Sequence, residues 1–268
     1  MTTLSHRRTS RRVLSRLIDE APSEPAVLSD DHRRSLAARF RAVPRVEHRR
    51  LDAWTAERAA QPGDAFRWSP ATARRAIGNA GLRRTVRDPS LTCCEAVERE
   101  MAELLLRAAE GYAGSGSLST FLAQSPGAVR ALVTAEAANW ATELGEAAAS
   151  LGHPWEVCTA DAYYDVARAR TTLRGRRDLV VARGTSRVLV RMRAGAPGKS
   201  AGPGLRVDLV IDALARPDGA AASRIIGLWP EAGVVLSVDG TMADLRAGAR
   251  DLVRTAVALS RLRLARAA

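Results

Sequence analysis

A chain of 268 residues with 46% hydrophobic side chains can bury a substantial core, and 41 Lys and Arg against 29 Asp and Glu give it a formal net charge of +12 at pH 7. That excess favours a polyanionic partner or an acidic surface through long-range attraction. Three cysteines, two of them adjacent at Cys93 and Cys94, and four scattered histidines exclude a disulfide framework and a zinc site. No apolar run reaches the ~18 residues of a membrane span, so a cytoplasmic chain with no membrane partner is expected.

Residues 1–29 are polar, carry Pro22 and Pro25 and begin with a basic run, which reads as a flexible arm with room for a short helix at about 10–19. Residues 30–60 read as helical, with Asp30 or Asp31 as the cap, an interruption at Pro44, and Leu51 and Trp54 on an apolar edge. Ser69-Pro70 opens a helix that Asp88-Pro89 stops, and Thr92-x-x-Glu95 is a capping box for the next. On that next helix Cys94, Val97, Met101, Leu104, Leu105 and Ala108 form one stripe. Residues 30–125 are thus a helical region.

Ser125-Pro126 repeats the cap-then-proline order, and Val129, Leu132, Val133, Ala137, Trp140 and Leu144 share a face of the helix that follows. The period then drops to two: TLRGRRDLVVAR, a turn at Gly184-Thr185-Ser186, and RVLVRMR read as successive strands. After a glycine-rich loop come a helix from about Leu205, strands in SRIIGLW and VVLSVD, and an amphipathic helix from Met242 to about Arg263. The class is α/β (α+β), with a helical N-terminal region and, over 126–268, a mixed sheet flanked by helices. Charge is uneven: 151–205 holds 10 basic against 4 acidic residues, whereas 91–150 holds 3 against 8.

The α-β-β-β-α-β order from residue 126, with Gly175-Arg176-Arg177-Asp178-Leu179-Val180, resembles the RecB-type PD-(D/E)XK nuclease core over about 126–262. In that family a glycine leads into a strand bearing a metal-binding aspartate, and the next strand ends in Asp-x-Lys. The resemblance makes Asp178 the candidate catalytic aspartate and Glu136 the candidate acid of the preceding helix. Arg191 and Arg193 stand where the second acid and the lysine would be.

Two guanidinium groups repel Mg²⁺ and attract phosphate, so no cofactor is expected unless the chain cleaves, in which case Mg²⁺ is implied. Alternation places Leu189, Arg191 and Arg193 on one strand face. With Arg174, Arg176, Arg177 and Lys199, the only lysine, they form a candidate phosphate clamp. Aromatic residues at 4% are too few for a single-strand stacking platform.

Three functions follow as expectations. The first is a nucleic-acid-associated, catalytically degenerate relative of these nucleases, with DNA as partner, within a repair, recombination or defence assembly. The second is an active nuclease drawing on displaced residues such as Asp178, Glu136 and Lys199, and the third is a non-catalytic scaffold. Gly198-Lys199-Ser200 invites a P-loop reading, but residue 193 is arginine where the first glycine belongs, and Gly202-Pro203-Gly204 argues against a helix starting there. No Gly-x-Ser-x-Gly elbow occurs.

Overall fold

The structure is a computed structural model that describes residues 12–44, 49–53, 68–114, 116–149, 152–158, 161–193, 196–229 and 232–267. In chain order the elements are α1 (12–19), α2 (Asp30–Arg41), β1 (Arg49–Asp52), α3 (Pro70–Arg87), α4 (Cys93–Ala109), α5 (Leu118–Gln124) and α6 (Gly127–Ala149). There follow β2 (Trp155–Val157), β3 (Ala162–Val166), β4 (Thr171–Gly175), β5 (Leu179–Arg183), β6 (Ser186–Met192), α7 (Ala201–Ala215), β7 (Arg224–Trp229), β8 (Val234–Asp239) and α8 (Met242–Ala267). The class is α/β, with helices flanking mixed sheets. Among the described residues no helix is long and apolar enough to cross a membrane.

The chain divides into two units at places other than the boundaries at 29/30 and 125/126. One unit holds 1–63, 153–191 and 196–268; the other holds 64–152 and 192–195. The second unit is helical. Ser69 and Thr72 form a capping box at the start of α3, with Pro70 in its first turn, and Thr92 and Glu95 form another on α4. Glycines let the helices meet: a Cβ at Gly81 would stand 2.4 Å from Val97 Cγ2. Val133, Ala137, Trp140 and Leu144 of α6 are buried as the spacing requires, whereas Leu132 is 55% exposed. Cys94, placed on the buried stripe of α4 by its spacing, is exposed too.

In the other unit two sheets are present, ordered β1-β4-β3 and β2-β5-β6-β7-β8. β1 runs parallel to β4, pairing Leu51 with Leu173, so the stretch expected to continue a helix around Leu51 is a strand; Trp54 lies outside the described residues. A run as short as RRLD has no period of its own, and β4 supplies the pairing that decides it. The segment TLRGRRDLVVAR, expected as one strand, breaks after Gly175 into β4 and β5, which belong to different sheets.

α7 is the hub of this unit. Val207 to Leu214 are all buried, as in a helix apolar on every side, with β3 and β4, β7 and β8, and α8 around it. It begins at Ala201, with Gly202-Pro203-Gly204 inside its first turns. Proline is tolerated there because its missing N–H would find no intrahelical acceptor, so this tripeptide does not prevent a helix after Lys199. The objection left to a P-loop is Arg193 in place of its first glycine.

The segment from residue 12 to 28 is packed rather than free. Leu14, Ile18, Ala21 and Leu28 are buried, Arg224 donates to Leu17 O at 2.6 Å, and Arg183 donates to Ala21 O at 2.6 Å. The cap of α2 is Ser29, whose Oγ accepts from His32 N–H at 3.4 Å, and not Asp30 or Asp31, which occupy the first turn.

Candidate functional site

β5 and β6 form an antiparallel hairpin that pairs Leu179 with Val190 and Arg183 with Ser186. One step beyond this register Asp178 comes opposite Arg191, and its N–H donates to Val190 O at 3.3 Å. Because side chains alternate along a strand, Arg187, Leu189 and Arg191 leave β6 on one face. That face meets α7, where Asp208 and Asp212, four residues apart, lie on neighbouring turns.

The result is a buried layer of ion pairs. Arg191 Nη1 donates to Asp208 Oδ2 and, at 2.8 Å, to Arg176 O, while its Nε donates to Asp178 Oδ2 at 3.4 Å. The exposed fractions of these side chains are 3% for Arg191, 0% for Asp208 and 12% for Asp178. Asp208 Oδ1 also accepts from Arg176 N–H at 3.1 Å. One turn on, Asp212 pairs with Arg187 at 2.8 Å and with Arg177 at 3.5 Å.

Three carboxylates thus face three guanidinium groups and the layer carries no net charge. A carboxylate as buried as Asp208 costs several kcal/mol unless paired and hydrogen-bonded, and here it has both. Gly175 allows the approach: a Cβ at that position would stand 3.0 Å from Ile211 Cγ2.

The residues singled out from the sequence therefore meet different fates. Asp178, Arg177 and Arg191 come together, with Arg176 joining through its backbone. Arg191 does not project into an open cleft beside Arg193, as strand alternation alone suggests. α7 covers it, and Arg193 lies beyond β6 within the helical unit. Arg174 pairs with Asp161 at 2.6 Å, and Lys199 is exposed just ahead of α7. Glu136 lies in the helical unit, where Arg74 pairs with it at 2.5 Å. Asp208 and Asp212 were missed by sequence reasoning, though two aspartates four apart in VDLVIDALA, whose other residues are all apolar, pointed to buried charge partners.

These residues do not fit a divalent cation. The Arg191 guanidinium stands between Asp178 and Asp208, so a metal held by both would have to sit against a fixed positive charge.

Cys158 borders the layer, its N–H donating to Asp178 O at 3.1 Å. Burial pushes its thiol up to about 11. It is therefore protonated at pH 8, and a thiol reagent at that pH should label exposed Cys94 rapidly and Cys158 only on unfolding. Equal native rates would contradict the packing.

No family model matches any part of the chain, and no curated protein matches it.

Proposed function

We propose that the protein is a nucleic-acid-associated member of the PD-(D/E)XK-like class, with DNA as its partner, whose catalytic pole has been converted into a neutral structural layer. In this reading it serves a repair, recombination or defence assembly by binding. The observation that carries the reading is the buried Asp178–Arg191–Asp208 arrangement. Two of its members, Asp178 and Arg191, stand at the sequence positions that the resemblance gives to the metal-binding aspartate and the second acid, so that a guanidinium and not a cation lies between carboxylates. The net charge of +12 supplies the attraction to phosphate.

Gel retention of labelled single- and double-stranded DNA across a salt series, with and without Mg²⁺ or Mn²⁺, tests this. The expected result is salt-sensitive retention, with a dissociation constant of roughly 10⁻⁴–10⁻⁶ M at physiological salt, and intact DNA throughout. Cleavage abolished by Asp178→Ala would instead make the protein an active nuclease. Failure to bind even at low salt would leave a scaffold.

A further inference from the structure

Because the layer beneath α7 is electrically balanced, the charge that attracts a polyanion must be displayed elsewhere, and α8 displays it. Its buried side chains, Leu245, Leu252, Thr255 and Ala256, face the core. Arg246, Arg250, Arg254 and Arg261 are exposed. At 100° per residue these four fall within an arc of about 80°, a single row along the solvent side of the helix.

The row is not balanced by acid. Arg254 pairs with Asp251. Among the described residues no carboxylate lies within ion-pairing distance of Arg246, Arg250 or Arg261, whereas Arg174, Arg177, Arg187, Arg191, Arg216 and Arg224 each have one. Like charges four residues apart disfavour a helix, so stability does not account for placing Arg246, Arg250 and Arg254 in succession.

We infer that this row is the surface that binds duplex DNA, by phosphate contact and without reading bases; the inference rests on the function proposed above. From Arg246 to Arg261 the helix rises about 22 Å, the length of about six base-pair steps at ~3.4 Å each. Arginine donates bidentately to phosphate, and a straight row of guanidinium groups can follow one strand. An anionic membrane fits less well, because the large apolar side chains described along α8 from Met242 to Leu259 pack against the core and do not face the side that carries the arginines. A single strand fits less well too, because α8 contains no aromatic residue on which bases could stack.

The test compares the full chain with an Arg246→Gln/Arg250→Gln/Arg261→Gln variant, and with the corresponding Arg→Lys variant, on a fluorescent 20-base-pair DNA between 50 and 200 mM salt. Circular dichroism and thermal melting establish that both variants are folded. Each phosphate contact contributes about 0.9 to the slope of log K against log salt, so the Gln variant should lose close to 3 from that slope. Across this range the unaltered chain should then lose roughly 40-fold more affinity than the Gln variant.

The Lys variant should keep the slope. An unchanged slope in the Gln variant, with the unaltered chain still binding, would overturn the assignment to α8 while leaving the proposed function standing. If the unaltered chain does not bind at any salt, the proposed function itself fails. Tighter binding to vesicles of phosphatidylserine and phosphatidylcholine than to DNA, lost in the Gln variant, would reassign the row to a membrane surface.

Discussion

Replacing Arg191 with alanine is expected to destabilise the protein by about 3–5 kcal/mol, the usual consequence of removing one partner from a buried ion pair. The reason lies in what remains. Asp208 has no exposed side-chain surface and would lose its guanidinium partner while still accepting from Arg176 N–H, and Asp178 would lose the guanidinium opposite it. Arg176 O would lose its 2.8 Å donor as well.

A second variant separates burial of charge from loss of volume. Arg191→Met/Asp208→Asn fills the space with an apolar chain and keeps a neutral acceptor for Arg176 N–H. It should recover a large part of the loss, since replacing a buried pair entirely is often close to neutral. Urea unfolding measures both, the change being read from the midpoint at constant slope. A loss below about 1 kcal/mol for Arg191→Ala would mean that the pair is solvated, as surface pairs of that worth are, and that α7 does not close over it.

How much of this could be read beforehand depended on range. The caps at Ser69 and Thr92, the hairpin about Gly184 and the terminal amphipathic helix are local in origin, and each formed where its residues indicated. β1 was not legible as a strand, because the decision lies with β4 some 120 residues later, through the pairing of Leu51 with Leu173. The candidate site shows the same division. The face shared by Arg187, Leu189 and Arg191 follows from strand geometry, but whether it meets solvent or α7 depends on two aspartates on a later helix. Asp208 takes Arg191 out of the expected phosphate clamp and into a closed layer, and Asp212 holds Arg187, which the expected clamp did not include, in the same layer.

Gly248→Ala should destabilise the protein although alanine is the better helix former. In an open helix the exchange gains about 1 kcal/mol. At Gly248 a Cβ would stand 2.6 Å from Arg206 O and 2.9 Å from both Arg206 C and Val210 Cγ2, so the obstacle includes the backbone of α7 and cannot simply rotate away. Overpacking of this kind costs about 1–3 kcal/mol, enough to outweigh the propensity gain. Gly145 in α6 supplies the contrast. Its Cβ would meet only Leu82 Cδ1, at 3.3 Å and at the end of a flexible side chain, so Gly145→Ala should be neutral or stabilising. In thermal melts Gly248→Ala should therefore fall below the unaltered chain, whereas Gly145→Ala should match or exceed it. If Gly248→Ala melts higher than the unaltered chain, α8 does not lie on α7 at contact distance, and the outward aim of Arg246 and Arg250, which flank Gly248, loses its structural basis.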